Sequence, residues 1–255
     1  MKRGNDASQE KAWVWGFHSL EAALELHPEL VLEIFVEKKS EGAAKILALC
    51  EDHGLTVKFG PMPRVFDDKR TQGVGARLKY FPTLMWKDYT DTLLEQIDEG
   101  PAQWVLLDEV QDPRNFGAIL RSAAAFGVKG VFVSHRNQSP VTGVVAQTSA
   151  GTVFRIPIVV CNNLKHPLEY FMQKRIPALA LEMEGQSVQS YLTLKKPSHI
   201  LWVLGSEGEG LSERLRELCA GSLGIPMDNG VESLNVSAAG TVIFYIGKNY
   251  LSDCL

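Results

Sequence analysis

The order of apolar and polar positions divides the first third of the chain into alternating strands and helices. Val31–Val36 is a short apolar run that predicts a strand, and Trp15–Leu26 repeats apolar residues with the period of a helix. The same criteria predict a helix over 42–53 and strands over 55–59 and 73–78. Strands that alternate with helices indicate a layered α/β fold.

The alternation resumes after Asp98-Glu-Gly-Pro101, whose composition is typical of a loop. The predicted strands lie at 104–108, 130–134, 178–181, 200–204 and 224–227, with an extended run over 153–159. The predicted helices lie at 115–126, 141–150, 168–174, 211–219 and 234–250. We therefore predict a polar tail (1–12), a small α/β domain (13–80), a linker with a short helix over 89–97 (81–101) and a larger α/β domain (102–255).

Composition narrows the class of protein. The chain has 255 residues, 45% of them hydrophobic, and a net charge of −4, which disfavours a uniformly basic nucleic-acid binder. It has no apolar run long enough to span a membrane and no secretory signal at its start, so we expect a cytoplasmic protein. Its four cysteines are far apart in sequence, which predicts free thiols and no metal site.

Three polar clusters each follow a predicted strand. In the first, Asp112-Pro-Arg-Asn115 is a helix-start signal, with Asn115 a candidate N-cap. Arg121 lies six residues further on, where a surface ion pair is the ordinary role of an arginine. Small residues between these positions allow close packing on the helix.

The second cluster is L-G-S-E-G-E-G-L-S, from Leu204 to Ser212. A glycine-rich turn after a strand often binds phosphate, but Glu207 and Glu209 would repel one, and no lysine of a P-loop follows. The spacing of the glycines also fails to match the G-x-G-x-x-G of nicotinamide-binding enzymes. The charge favours a ligand with amines or a positive centre, although two acids in the first turn of a helix are ordinary as well.

The third cluster is I-P-M-D-N-G-V-E-S-L-N-V-S-A-A-G, from Ile225 to Gly240. Ser233 is a good candidate for the N-cap of the last helix. Ser237-Ala-Ala-Gly240 then gives a bare helix face suited to close packing, either within the chain or between two chains.

Together, N-F-G-A-I-L-R-S-A, L-G-S-E-G-E-G and I-P-M-(x)5-S-L-N-V-S, in this order, closely resemble the motifs of the SpoU family of RNA ribose 2′-O-methyltransferases, within the SPOUT class. Ser149–Pro157 also matches the family pattern. The first domain, with W-G-F-H-S-L-E-A-A-L and Q-G-V-G-A-R, is similar to the small RNA-binding domain that precedes the catalytic domain in this family. The layout is most similar to the subgroup that methylates a guanosine ribose of 23S ribosomal RNA.

The resemblance implies a parallel-sheet domain with a deep C-terminal trefoil knot that holds S-adenosylmethionine, largely through backbone groups. This cofactor carries a sulfonium, an ammonium and an amine but no phosphate, which fits the acidic, glycine-rich turn. The residues that the resemblance places around the cofactor are Gly205, Ile225, Leu234, Leu204, Ser206 and Met227.

The resemblance also implies a set of residues around the reacting ribose, namely Arg121, Asn115, Glu207, Ser233 and Asn235. Arginine stays protonated in proteins, so a role as general base is not favoured. We expect Arg121 to stabilise the developing alkoxide electrostatically, with a phosphate or water taking the proton. Glu207 has a second interpretation, holding Arg121 or Asn115 in place, and Ser233 and Asn235 have another as helix caps.

Further expectations concern partners. Ribosomal RNA is the expected substrate, with phosphate contacts from Arg114, Arg136, Arg155, Lys69, Arg70 and Arg77. A homodimer is expected through the last helix, at Ser237–Gly240 with Ile243, Phe244 and Ile246. Two alternatives are a transfer-RNA ribose methyltransferase and a non-catalytic, knotted RNA-binding or ribosome-assembly protein. The intact motifs disfavour the second alternative.

Overall fold

The computed structural model describes residues 12–37, 43–66, 70–206 and 208–253, and divides them between two compact units. The first unit contains Met1–Pro82 and also Val141–Arg155, and the second contains Thr83–Pro140 and Ile156–Leu255. The first unit therefore includes a segment that the sequence assigned to the larger domain. Glu207, Lys69 and Cys254 lie outside the described residues.

The first unit is built on a four-stranded sheet with the order β1-β4-β2-β3. Its elements are β1 (Ala12–Trp15), α1 (Phe17–Leu26), β2 (Val31–Val36), α2 (Ala43–Asp52), β3 (Val57–Phe59), β4 (Val74–Leu78) and, from the distant segment, α5 (Gly143–Thr148). Strand β4 is antiparallel to β1 and β2, whereas β2 and β3 are parallel.

The second unit is an α/β unit around a seven-stranded parallel sheet, as predicted, with the order β11-β9-β10-β6-β7-β8-β5. Its strands are β5 (Leu84–Met85), β6 (Ala102–Leu107), β7 (Val128–Ser134), β8 (Ile158–Cys161), β9 (Ala178–Ser187), β10 (His199–Leu204) and β11 (Gly221–Gly224). Its helices are α3 (Trp86–Asp98), α4 (Pro113–Ala125), α6 (Lys165–Gln173), α7 (Val188–Lys195), α8 (Glu213–Arg216) and α9 (Val236–Ser252).

The centre of this sheet is largely apolar on both faces, as expected for parallel strands covered by helices. Every residue of β6 is buried, and Trp104 packs edge-on against Phe171, with ring centroids 5.2 Å apart. Burial also raises the pKa of the Cys161 thiol to about 12 and that of Cys50, in the first unit, to about 11. These two cysteines and Cys219 are free thiols, which confirms that prediction for the described cysteines.

Several predicted elements are wrong in detail. The predicted tail and the predicted start of α1 overlap β1, a four-residue strand too short to show a period in the sequence. The extended run over 153–159 is instead a 3-10 turn at Thr152–Phe154 followed by β8. The helix predicted over 211–219 is limited to α8, and the strand predicted over 224–227 ends at Gly224. Helix α7 and strand β5 were missed.

No helix among the described residues is long and apolar enough to cross a membrane. The prediction of a dimer surface on α9 needs correction, because Ile243 and Phe244 are fully buried within the chain itself. Gly240 also faces inward, in van der Waals range of Phe244 and Leu204.

Candidate active site

The glycine-rich loop after β10 closes on itself. Ser206 and Gly210 exchange two backbone hydrogen bonds, at 2.9 and 3.1 Å. A Cβ on Gly205 would lie 2.1 Å from the carbonyl carbon of Gly210, so any side chain at 205 would force this turn open. Gly210 itself has a φ of +69°, which glycine adopts without strain. The glycines therefore shape a tight turn.

Asp108 ties this loop to the end of β6. Its buried carboxylate accepts a hydrogen bond from the Ser212 N–H at 3.0 Å, and its own N–H donates to the Leu204 carbonyl at 2.8 Å. A parallel sheet places the carboxyl ends of its strands at one edge, where α/β proteins usually bind ligands. The acid that ends the predicted strand at 108 thus supports the loop instead of contacting a ligand directly.

The N-terminus of α9 is capped by Asn235, so the prediction of Ser233 as the cap is wrong. The Oδ1 of Asn235 accepts hydrogen bonds from the Ser237 N–H at 2.9 Å and from the Ser237 hydroxyl at 2.6 Å. The helix begins at Val236, and a cap residue stands immediately before the first helical residue. Ser233 lies too far upstream and is exposed.

Helix α4 begins earlier than predicted. Its N-cap is Asp112, whose Oδ1 accepts from the Arg114 N–H at 2.7 Å, and Pro113 occupies the first helical position, which suits proline. Asn115 is therefore not a cap but lies within the first turn. Its Oδ1 accepts a hydrogen bond from the Asn235 Nδ2 at 3.1 Å, which joins the first turns of α4 and α9.

A cavity of about 620 Å³ adjoins these loops. All six predicted cofactor residues line it, as do Ser233 and Asn235. The loops after β10 and β11 contribute most of these residues, and the bend within β9 contributes Leu181 to Glu184. The volume lies within the range of small-molecule sites.

The charged side chains that line this cavity are mostly acidic, and the sequence prediction missed most of them. The carboxylates are those of Glu182, Glu184, Glu209 and Glu232. Glu182 accepts hydrogen bonds from Arg216 Nε at 2.6 Å and from the Ser222 hydroxyl at 2.5 Å. Arg216 is the only lysine or arginine among the described lining residues, and it is already paired with Glu182. In the sequence, the acidic residues that directly follow the apolar run at 178–181 were the signal that could have predicted these carboxylates.

A second cavity of about 500 Å³ lies beside the first. The two share the lining residues Ser206, Gly208, Glu209 and Val236. Its remaining lining is Glu109, Val110, Gln111, Asp112, Asn115 and Asn137. Because Asn115 lines the second cavity and Asn235 the first, their hydrogen bond lies where the two cavities meet.

The predicted catalytic residues are brought together only in part. Asn115, Asn235 and Ser233 line the cavities, whereas Glu207 lies outside the described residues. Arg121 is exposed on α4 and lines neither cavity. Six residues separate it from Asn115, or about 9 Å along the helix axis.

Comparison with known proteins identifies the family. The model of the SpoU rRNA Methylase family matches residues 102–245, and the model named RNA 2′-O ribose methyltransferase substrate binding matches residues 13–83. The chain belongs to the SpoU rRNA methylase family.

Individual relatives agree with this assignment. The 23S rRNA (guanosine-2′-O-)-methyltransferase RlmB of Xanthomonas campestris is 32% identical over 93% of this chain and 96% of its own. An uncharacterized tRNA/rRNA methyltransferase of Mycobacterium sp. (strain KMS) is 34% identical over 82% of this chain, which spans only 66% of that relative's length. The crystal structure of the SpoU methyltransferase AviRb from Streptomyces viridochromogenes, in complex with the cofactor AdoMet, shares the fold. Its TM-score is 0.77, at 22% identity, over 98% of this chain and 95% of its own.

Proposed function

We propose that the protein transfers a methyl group from S-adenosylmethionine to a ribose 2′-hydroxyl of RNA, at a guanosine of 23S ribosomal RNA. The observation that carries this proposal is the pair of adjoining cavities joined at the Asn115–Asn235 hydrogen bond. A transferase needs two such sites, one for the donor and one for the acceptor, with a shared wall. The Xanthomonas relative supports the choice of base and RNA.

The first cavity fits S-adenosylmethionine in volume and charge. Glu182 is paired with Arg216, and the remaining carboxylates, those of Glu184, Glu209 and Glu232, favour the ammonium and sulfonium of the cofactor and would repel a phosphate. When bound, the cofactor supplies the electrophilic methyl group. Gly205, Ile225, Leu234, Leu204, Ser206 and Met227 are the residues that would hold it.

The acceptor ribose binds where the two cavities meet. There the paired amides of Asn115 and Asn235 orient the 2′-hydroxyl, with Ser233 beside them. Arg121 stabilises the alkoxide that develops as the hydroxyl loses its proton, and an RNA phosphate or water takes that proton. Glu207 supports Arg121 or Asn115 from the loop at 206–210. Because Arg121 lines neither cavity, we propose that it acts on the alkoxide through an RNA phosphate.

The first unit contributes RNA binding, as the family of its residues 13–83 suggests. Of the predicted phosphate contacts, Arg77 and Arg155 already pair with Glu33 and Glu25. The exposed Arg70 in this unit, and Arg114 and Arg136 in the second, are better candidates. Transfer RNA is the second candidate substrate, because the mycobacterial relative carries both RNA classes in its name.

Three further parts of the proposal follow from the family rather than from the cavities. The C-terminal segment forms a trefoil knot, the enzyme acts as a homodimer, and it works in the cytoplasm. On α9 the exposed Ala238 and Tyr245 replace Ile243 and Phe244 as dimer contacts, because the latter two belong to the core.

The test is methyl transfer from labelled S-adenosylmethionine to unmodified 23S ribosomal RNA, with transfer RNA in parallel. We expect label at one ribose, resistant to alkaline cleavage, and a loss of at least 100-fold with Arg121→Ala. Arg214→Ala is the matched control, since Arg214 is also exposed on a helix of the second unit and lines neither cavity. Label only in transfer RNA would change the substrate, and none in either RNA would refute the proposal.

The role of Arg121 has its own test in a pH–rate profile of Arg121→Lys. A planar guanidinium fork that stabilises charge is poorly replaced by an ammonium, so turnover should stay low at every pH. Turnover close to wild type at raised pH would show that Arg121 acts instead as a proton acceptor.

A further inference from the structure

The second cavity has a lining unlike that of the first. Its polar side chains are Glu109, Gln111, Asp112, Asn115, Asn137, Ser206 and Glu209. None of its described lining residues is a lysine, an arginine or a histidine. A cavity with three carboxylates and no cation repels phosphate and favours a ligand that presents several hydrogen-bond donors.

Two of these side chains form a pair between neighbouring strand ends. Glu109 follows β6 and Asn137 follows β7, and Asn137 Nδ2 donates to Glu109 Oε1 at 2.9 Å. Each carboxylate oxygen can accept two hydrogen bonds. Within the described part of the chain no donor contacts Glu109 Oε2, so the carboxylate retains acceptor capacity on both oxygens. Asn137 Nδ2 has a second N–H, and its Oδ1 is a further acceptor.

The other two acids have different surroundings. Asp112 caps α4 through the Arg114 N–H, so one of its oxygens is already used. Glu209 lies in the wall shared with the first cavity, next to the expected cofactor. Glu109 does not line the first cavity and caps no helix, so it is the carboxylate best placed for a ligand group distal to the ribose.

Among RNA bases, guanine matches a carboxylate best. Its Watson–Crick edge presents two adjacent donors, N1–H and the N2 amino group, beside the O6 acceptor. Adenine and cytosine each present one amino donor next to an unprotonated ring nitrogen, and uracil presents one N–H between two carbonyls. RNA enzymes commonly bind unstacked bases through this edge.

Resting on the proposed function, we propose that the second cavity binds the base of the acceptor nucleotide. The Glu109 carboxylate accepts hydrogen bonds from guanine N1–H and N2–H, and the free N–H of Asn137 donates to O6. The ribose then lies at Asn115, where the cavities meet. A volume of about 500 Å³ is sufficient for a nucleoside.

A merely structural role for Glu109 makes a different prediction. If the Glu109–Asn137 bond only joined two loops, its loss would lower turnover equally for every base. A base-binding role predicts an effect that depends on the base. The experiment must therefore compare bases and not only variants.

The experiment first maps the ribose that the wild-type protein methylates in unmodified 23S ribosomal RNA. That nucleotide is then replaced, by splint ligation, with guanosine, inosine or adenosine. Inosine keeps N1–H and O6 and lacks only the N2 amino group. The values of kcat/KM for the three RNAs are measured for wild type, Glu109→Gln and, as a matched control, Glu217→Gln. Glu217 is exposed in the same unit and lines neither cavity.

For wild type and the control we expect inosine to be poorer than guanosine by about 10-fold or more, and adenosine poorer still. Glutamine keeps one acceptor oxygen, so Glu109→Gln should lower kcat/KM for guanosine by about 10-fold or more while inosine changes little. The guanosine-to-inosine ratio should then fall below about 3. The dissociation constant for S-adenosylmethionine, measured by calorimetry, should match wild type, which also confirms that the variant folds.

An unchanged guanosine-to-inosine ratio in Glu109→Gln, or an equal loss on all three RNAs, overturns the inference and leaves the proposed function intact. A wild-type protein that methylates a base other than guanosine overturns the inference and the choice of guanosine in the proposed function, while ribose methylation of RNA stands. Wild-type protein that methylates no RNA overturns the proposed function, and this inference with it. The two failures are thus separated by whether the wild-type protein is active.

Discussion

At the scale of single residues, Asn235 connects folding with the candidate chemistry. Its Oδ1 caps α9, and its Nδ2 donates to Asn115. One side chain therefore sets both the start of the last helix and the position of a neighbouring amide in the acceptor site. Asn235 was predicted as a catalytic residue with helix capping as its alternative role, and the structure confirms the capping, whereas Ser233 is not the cap. A cap can be assigned only when the first helical residue is known.

The two roles of Asn235 can be separated with Asn235→Asp. Aspartate caps a helix as well as asparagine does, but its carboxylate cannot donate to Asn115 Oδ1. We expect a melting temperature close to wild type and a kcat for methyl transfer that is lower by about 10- to 100-fold. Asn249→Asp, at an exposed position of the same helix, is the control. A large drop in melting temperature, with proportionate loss of activity, would show that capping is its main role.

At the scale of elements, a charged cluster joins three strands of the first unit. Glu33 on β2 accepts from Lys58 on β3 at 2.6 Å and from Arg77 on β4 at 2.5 Å. The hydrogen bonds from Lys58 and Arg77 lower the pKa of Glu33 to about 2. Arg77 was predicted to contact RNA phosphates. Its proximity to Glu33 depends on the pairing of β2 with β4, which the sequence does not show.

This cluster predicts a pH dependence. The pKa of Glu33 is lower in the folded than in the unfolded state. The stabilisation that Glu33 gives the folded protein is therefore fully present above about pH 4.5. It is lost as the pH falls from about 4.5 to 2, since the carboxylate is then protonated in the folded protein as well. At pH 7 we expect the melting temperature of wild type to exceed that of Glu33→Gln. The difference should be small because the ion pairs are solvent-exposed, and it should shrink toward pH 2. A difference that stays constant with pH would contradict this assignment.

A buried amide joins the helices of the second unit to its sheet. Gln103 on β6 donates to the Phe126 carbonyl at 2.9 Å and the Phe244 carbonyl at 3.1 Å, and accepts from Trp202 Nε1 at 2.8 Å. Gly247 on α9 leaves room for it, because a Cβ there would lie 2.4 Å from Gln103 Oε1. The amide therefore fixes the end of α4 and the middle of α9 against β6 and β10.

Gln103→Leu tests this junction. The substitution leaves the buried Trp202 N–H without its acceptor, so the free energy of unfolding should fall by about 2–4 kcal/mol. Gln173→Leu, at an exposed position on α6, should change it by less than about 0.5 kcal/mol. Both values come from urea unfolding followed by tryptophan fluorescence. Equal effects of the two variants would rule out a structural role for the amide.

At the scale of the whole molecule, the first unit is discontinuous in sequence. Val141–Arg155 belongs to it, and the Ser19 hydroxyl donates to the Ala146 carbonyl of α5 at 2.9 Å. The returning segment buries Val145, Val153 and Phe154. We propose that the predicted domain 102–255 is therefore not an independent folding unit, although the family model matches most of it.

A shortened chain of residues 83–255 tests this proposal. It retains Val141–Arg155 but lacks the rest of the first unit, so the three apolar side chains lose their partners. We expect limited trypsin digestion to cleave at Arg155 on the order of 10-fold faster than in the full chain. Cleavage at Lys195–Lys196 in the second unit serves as the internal reference, and rates measured by mass spectrometry give the ratio. The same ratio in both chains would show that the segment folds without the first unit.

The sequence by itself determined the class of fold and the family, and the six residues predicted around the cofactor all line one cavity. Long apolar runs such as 200–204 and the order of the three motifs depend only on local composition and spacing, so they can be read directly from the sequence. Short elements such as β1 and α8 escaped, because four residues show no period and their pairing depends on distant partners.

Only the tertiary structure decided which residues meet. Asn115 and Asn235 are 120 positions apart in sequence. Their hydrogen bond forms because the N-termini of α4 and α9 lie next to each other in the fold. The same holds for Glu109 and Asn137, which the parallel pairing of β6 and β7 brings together, and for the return of 141–155 to the first unit. Contacts between distant positions follow from strand order and helix packing, which no local pattern contains.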